Sequence, residues 1–176
     1  IEFRNKFSFS LLFLDEETRN NYGRDETEDY VFPPGVVLKP ASAEEISAIL
    51  KLANEYKIPV TPIGGKTGLS GGALSIHQGI GLSMERFNKI LHIDEQNLQV
   101  MVEPGVVTQT LQEAVLEKGL FYPPDPSSRG SCFIGGNVAE NAGGARAVKY
   151  GVTKDYVLNL EVVLPTGEIV WTGANT

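Results

Sequence analysis

The run Pro62-Ile63-Gly64-Gly65-Lys66-Thr67-Gly68-Leu69-Ser70-Gly71-Gly72 restricts the fold more than any other stretch, since five of its eleven residues are glycine. A glycine gives up side-chain burial and costs roughly 0.5–1 kcal/mol in a regular element, so a cluster implies positive φ angles or a ligand pressed against the backbone. Successive N–H groups in such a turn form a concave nest for anionic oxygens, and the Thr67 and Ser70 hydroxyls add donors. A phosphate-bearing ligand fits that set. The P-loop pattern does not, because it requires a glycine at position 60, where Val60 stands. The dinucleotide fingerprint G-x-G-x-x-G is absent as well, and Ala73 to Met84 has no helical period, so the phosphates do not rest on a helix N-terminus. The competing reading is a flexible surface loop with no ligand.

The flanking pattern sets this loop at the end of a strand. A polar, acidic stretch from Asn20 to Asp29 reads as a solvated loop and is closed by Pro33-Pro34-Gly35. Val36-Val37-Leu38 is a short buried strand stopped by Pro40. Ser42-Ala43-Glu44-Glu45 is a capping box opening a helix that turns Ile46, Ile49, Leu50 and Ala53 inward and closes at Lys57 and Pro59. Ile58 to Ile63 then forms a strand. The result is a strand-helix-strand unit with the glycine loop at the exit of its second strand, where a ligand reaches backbone from the end of a sheet.

Farther along, Ile80 to Met84, Ile90 to Ile93 and Leu98 to Val102 read as strands, the last with Leu98, Val100 and Val102 alternating with Gln99 and Met101. A second helix opens at Thr108 or Thr110, carries Leu111, Ala114 and Val115 inward, and ends at Lys118-Gly119. Three prolines stiffen Tyr122-Pro123-Pro124-Asp125-Pro126-Ser127-Ser128 and exclude a central strand there. Val157 to Leu164 and Glu168 to Trp171 are strands about the turn Pro165-Thr166-Gly167. The alternation of phenylalanine and leucine from Ile1 to Leu14 is too irregular to assign.

Composition narrows the partners. A formal net charge of −7 disfavours nucleic acid, whose phosphates are bound by concentrated Lys and Arg. One cysteine, Cys132, excludes an internal disulfide, implies no metal site and is compatible with a cytoplasmic location. Leu11-Leu12-Phe13-Leu14 is too short to span a bilayer and lacks the layout of a signal peptide. A chain of 176 residues sustains one substantial domain, and its start at Ile1 and stop at Thr176, just after a strand-like run, read as those of a fragment.

Ser131 to Gly151 is a second small-residue region, with Gly135-Gly136-Asn137, Asn141-Ala142-Gly143-Gly144 and Tyr150-Gly151. Two such regions far apart in sequence suit one extended ligand, and a dinucleotide has that shape. The first loop takes its pyrophosphate, while Asn137 and Asn141 offer donors and acceptors to a heterocycle edge such as a flavin. Alternatively these glycines only bracket a short helix as turn and cap.

Pro62 to Ala73, Tyr122 to Ser128 and above all Ile134 to Gly167 resemble the FAD-binding domain of the FAD-linked oxidase family, also called the PCMH or vanillyl-alcohol oxidase type. The likeness extends from about Tyr22 to the end and is greatest to the glycolate oxidase D subunit, D-lactate dehydrogenase and D-2-hydroxyglutarate dehydrogenase group. The resemblance implies an α+β fold of two lobes, a small strand-helix-strand lobe and a second, mixed or antiparallel β-sheet lobe with helices, with FAD between them. It implies an N-terminal arm over 1–30 and the FAD-binding domain over 31–176. By its motifs, Pro62 and the loop Gly64, Gly65, Lys66, Thr67, Gly68, Leu69 and Ser70 hold the pyrophosphate. Pro124, Ser128, Gly135, Gly136, Asn137 and Asn141 lie along the flavin and ribityl chain, and Gly144, Tyr150 and Ile169 or Val170 reach the ribose or adenine.

The implied reaction moves a hydride from the α-carbon of a small D-2-hydroxy acid to flavin N5, leaves a 2-oxo acid, and returns the electrons to a separate electron acceptor. The family's substrate-binding and base residues lie in a C-terminal domain beyond this chain, so no catalytic residue is assigned and the chain alone is expected to bind FAD without efficient turnover. Lys66 stands where covalently flavinylated members often carry histidine, which implies non-covalent FAD, and Ile63 stands where many relatives have arginine. Cys132 reads as a small packed thiol and His77 and His92 as structural or surface residues. Two alternatives stay open: a flavin domain like that of UDP-N-acetylenolpyruvoylglucosamine reductase, against which the Pro-Pro-Asp-Pro and Gly-Gly-Asn runs argue, and a flavin-free ligand-binding module.

Overall fold

The computed structural model describes residues 12–27 and 29–173, so the irregular run before Leu12 lies outside the described residues. The chain divides into two compact units, one of Ile1–Arg86 with Leu158–Thr176, the other of Phe87–Val157.

The first unit is built on a four-stranded sheet. Its strands are β1 (Leu12–Phe13), β2 (Val36–Leu38), β3 (Val60–Ile63) and β4 (Ile80–Ser83), in the spatial order β1-β2-β4-β3. β1 is antiparallel to β2, with Leu12 opposite Leu38, while β2 and β3 both run parallel to β4, with Val36 and Val60 flanking Ile80. The expected strand-helix-strand unit is present, and β4 occupies the position between its two strands. All four residues of β4 are buried, as a parallel strand covered on both faces requires. Val37 and Leu38 are neighbours in sequence but belong to different apolar clusters, because successive strand residues face opposite sides. Leu38, Ile80 and Leu82 pack with Ile49 and Ala53 on one side, and Val37 packs with Tyr22 and Ile63 on the other. At the sheet's lower edge Gly79 adopts φ 63°, and a Cβ there would lie 2.2 Å from the Pro59 carbonyl oxygen, so only glycine lets β3 and β4 start side by side.

Two helices belong to this unit. α1 (Glu16–Asn21) is capped by Asp15, whose carboxylate accepts from the Thr18 N–H at 2.8 Å. Asn20 and Asn21 therefore end a helix and Tyr22 is buried, which corrects the reading of this polar stretch as wholly solvated. α2 (Ala43–Glu55) opens as expected, with Ser42 Oγ accepting from the Glu45 N–H at 3.2 Å. The Glu45 carboxylate reaches one residue farther back than a capping box prescribes and accepts from Ala41 N–H at 2.7 Å. Ile49, Leu52 and Ala53 are its buried apolar face, with Ile46 packed at the margin and Leu50 half-buried. The Ser47 hydroxyl donates to the Gly167 carbonyl, fixing α2 to the hairpin β7 (Glu161–Val163) and β8 (Ile169–Trp171).

The second unit pairs the antiparallel hairpin β5 (Ile90–Asp94) and β6 (Gln99–Val102) with the helices α3 (Thr108–Leu116) and α4 (Ile134–Glu140). Val106, Leu111, Val115 and Ile134 form its core, lined by Ile93, Val100 and Val102. Leu98 is not part of the strand: it takes φ 55° in the turn before β6 and is 72% exposed. α3 ends at Gly119 with φ 72°, as its sequence predicts. A short helix α5 (Ala147–Tyr150) and a 3-10 turn (Thr153–Tyr156) complete the unit. Mixed sheet, hairpins and helices together make the α+β fold that the sequence leads one to expect.

Candidate functional site

In the first unit, β3 ends at Ile63 and releases the chain into the glycine loop. Ile63 is fully buried and packs with Val37 and Tyr22, so it anchors the loop. Gly64, Gly65, Lys66 and Thr67 are half-buried, whereas Pro62, Gly68, Leu69 and Ser70 are exposed. The Ser70 hydroxyl accepts from the Gly72 N–H at 3.4 Å, and the Gly68 carbonyl accepts from the Glu26 N–H at 3.2 Å. Lys66 takes the left-handed conformation, φ 60°. Its ammonium turns to Asn21, donating to the carbonyl oxygen at 2.8 Å and to Oδ1 at 3.1 Å, and lies 4.8 Å from the centroid of the Tyr22 ring.

Beside the loop is a polar cluster that the sequence did not disclose. The Tyr22 hydroxyl donates to Glu85 Oε2, Lys39 Nζ lies 2.6 Å from Glu85 Oε1, and the Ser83 hydroxyl is 3.4 Å from Oε2. Lys39 Nζ also sits 5.0 Å from the Tyr22 ring and 4.8 Å from that of Phe13. Burial opposes ionisation of Glu85, but the hydrogen bonds from Lys39 and Tyr22 outweigh it and hold the carboxyl below its ordinary value of 4.5. Burial likewise opposes the charge on Lys39, and its bonds to Glu85 and Tyr22 raise it above 10.5. For Lys66 burial prevails: with the Lys39 charge it lowers the ammonium from 10.5 against the pull of Glu85.

In the second unit the structure joins two stretches that the sequence left apart. Asp125 pairs with Gly144 in a short parallel bridge, so the proline stretch lies against the end of the glycine-asparagine run. Gly144 has φ 123° and a Cβ there would fall 1.9 Å from the Asp125 carbonyl oxygen. Asp125 also gathers Arg129 at 3.3 Å and Arg146 at 3.4 Å, while the Pro124 carbonyl accepts from Gln112 Nε2 at 2.8 Å. Ser128 is half-buried and its carbonyl accepts from the Cys132 N–H at 2.8 Å. Tyr150 meets Phe121 edge to face at 5.6 Å, and burial pushes the neighbouring Tyr122 hydroxyl up to about 12.

Each of the two asparagines makes one side-chain hydrogen bond within the protein. Asn137 is buried and its Nδ2 donates to Thr108 Oγ1, and Asn141, at φ 51°, ends α4 while its Oδ1 accepts from the Lys154 N–H at 3.0 Å. These bonds tie both side chains to neighbouring segments of the unit. Cys132 is buried with Sγ 3.1 Å from Thr108 Oγ1, a packed thiol, and His77 and His92 are exposed. Ile169 and Val170 are half-buried in β8, in the same unit as the glycine loop, whereas Gly144 and Tyr150 belong to the other. No group of three or more His, Cys, Asp or Glu suited to a metal ion occurs among the described residues.

Gly135 and Gly136 separate two roles. A Cβ on Gly135 would meet Pro104 at 2.7 Å, so packing explains it. At Gly136, and again at Gly68, a Cβ would meet nothing within 4 Å, and neither has a positive φ. Such a glycine carries its entropic cost with no return from the fold, and a flat or phosphorylated ligand lying against backbone supplies one.

Residues 34–173 match the family described as FAD binding domain. Glycolate oxidase subunit GlcD of Bacillus subtilis is 49% identical over 152 residues, covering 86% of this chain and 32% of that protein. D-lactate dehydrogenase of Anaerostipes hadrus is 48% identical over 164 residues, 93% of this chain and 34% of that one. A solved alkyldihydroxyacetonephosphate synthase superposes with a TM-score of 0.86 at 24% identity, over 99% of this chain and 38% of the synthase, which is a likeness of fold. The chain spans about a third of the length of the curated relatives it matches.

Two outcomes test this geometry. Gly144→Ala is expected to lower the melting temperature sharply, whereas Gly136→Ala, in a helix with free space, leaves it unchanged or raises stability by about 0.5–1 kcal/mol; chemical denaturation of both variants checks the contrast. Because the folded-state value of Glu85 lies below 4.5, its contribution is complete above that pH and is lost as pH falls through the lowered value. Glu85→Gln should therefore be less stable at neutral pH and lose less on acidification than the parent, as read from urea midpoints across the acid range.

Proposed function

This chain belongs to the FAD binding domain family, and on that premise we propose that it is the cofactor-holding part of a flavin-dependent dehydrogenase that oxidises a small D-2-hydroxy acid to the 2-oxo acid. The observation that carries the reading is the pair of unexplained glycines, Gly68 and Gly136, each in a region that the sequence assigns to one dinucleotide. The names of the relatives, a glycolate oxidase subunit and a D-lactate dehydrogenase, support the substrate class.

In this reading Pro62 and Gly64 to Ser70 hold the pyrophosphate, chiefly through backbone N–H groups, since the Lys66 ammonium is engaged with Asn21. Pro124, Ser128 and Gly136 lie along the flavin and ribityl chain. Gly135, Asn137 and Asn141 shape that wall through Pro104, Thr108 and Lys154. Gly144, Tyr150, Ile169 and Val170 serve the ribose or adenine. FAD, when bound, supplies a two-electron acceptor for the hydride. The substrate loses that hydride from its α-carbon and a proton from its hydroxyl, and a separate electron acceptor takes up both electrons. In this proposal substrate and base contacts come from a C-terminal domain of the full protein, and relatives about three times the length of this chain leave room for one. No described helix is long and apolar enough to cross a membrane. A cytoplasmic location is proposed because a single cysteine is compatible with a reducing compartment.

Titration of the purified chain with FAD, FMN and riboflavin, followed by flavin fluorescence, tests the reading. FAD should bind more tightly than riboflavin by about tenfold or more, because the diphosphate adds charge-assisted hydrogen bonds to the loop. Equal affinities, or no flavin binding, would contradict it.

A further inference from the structure

Lys66 is the anomaly of the glycine loop. The segment has five glycines, and Gly71 takes a positive φ of 75° as expected, yet Lys66 does so too, at φ 60°. Holding an L-residue in that conformation costs roughly 1–2 kcal/mol. Its side chain shows what is gained. The ammonium spans from the loop to the C-terminal end of α1, where helix carbonyls lack intrahelical partners and a cation is favoured, and it donates to both oxygens of Asn21. It also lies against the Tyr22 ring, itself fixed by Glu85. A second tie runs the other way, from the Glu26 N–H to the Gly68 carbonyl at 3.2 Å. Both anchors, Asn21 and Glu26, precede the span 34–173 that matches the family.

We infer that residues 15–27 form a clamp that sets the conformation of the glycine loop for its phosphate ligand, with the side chains of Lys66 and Asn21 positioning the loop and not touching the ligand. The inference rests on the functional reading above. It explains why the Lys66 ammonium is bound to Asn21, and why a lysine occupies a backbone conformation suited to glycine. With the clamp made, the loop at Gly68 is held at its midpoint and beside it. Without it, a run of glycines has many conformations to lose on binding.

The test is a double-mutant cycle of Lys66→Gly and Asn21→Ala with two readouts. The first is affinity for FAD and for riboflavin; the second is backbone amide exchange of residues 64–70 without any flavin. Lys66→Gly relieves the backbone strain, so a residue serving only as a turn would bind FAD equally well or better after the change. The clamp predicts instead a loss of about tenfold in FAD affinity with little change for riboflavin, and faster exchange in the loop. Asn21→Ala should give a smaller loss that adds nothing to that of Lys66→Gly, and Lys66→Arg should recover part of the affinity. Unchanged or tighter FAD binding by Lys66→Gly overturns the clamp, and so do fully additive losses, which would mean that Lys66 meets the ligand directly. If the parent chain binds no FAD, the functional reading falls, while amide exchange still decides whether Lys66 and Asn21 order the loop.

Discussion

The carboxylate of Glu85 organises the first unit at the point where it matters most. It stands just past β4, the strand on which both parallel neighbours depend, and receives the Tyr22 hydroxyl and the Lys39 ammonium from two other segments. An isolated carboxylate at such a half-buried position would resist ionisation. The donors reverse that preference, and the same bonds locate the Tyr22 ring. Removing the acid would leave a phenol and an ammonium without their partner, the costly way to lose a hydrogen bond. Two ammonium groups lie within 5.0 Å of the Tyr22 ring centroid, and one of them belongs to the glycine loop. The geometry of a loop with little side chain of its own is thus fixed from outside.

The glycines do different things. Gly79 and Gly144 allow two backbones to touch, and a single methyl group at either would collide with a carbonyl oxygen. Gly135 makes room for Pro104. Gly68 and Gly136 answer to no contact in the fold. One residue type at neighbouring positions, 135 and 136, therefore meets close packing in one case and open space in the other.

Local signals were legible in the sequence. Ser42 and Glu45 announced the start of α2, Gly119 the end of α3, and the alternation around Val100 and Val102 a strand, because each depends on residues a few positions apart. The motif-rich run from Ile134 carried the family. What escaped is long-range. Tyr22 lay in a segment whose acidic composition suggested solvent, and its partner Glu85 is 63 positions away. The bonds of Asn137 to Thr108 and of Asn141 to the Lys154 backbone likewise join residues that nothing local brings together. Leu98 passed as a strand residue because its hydrophobicity continued a period of two, although the turn needed a left-handed residue there.

A crystal structure of this chain grown with ADP, which carries the diphosphate and adenine without the flavin, is the most direct test. The diphosphate is expected on the backbone N–H groups of residues 64–70, with the Lys66 ammonium still bound to Asn21. A diphosphate held elsewhere, or a Lys66 ammonium swung from Asn21 onto the phosphates, would contradict it.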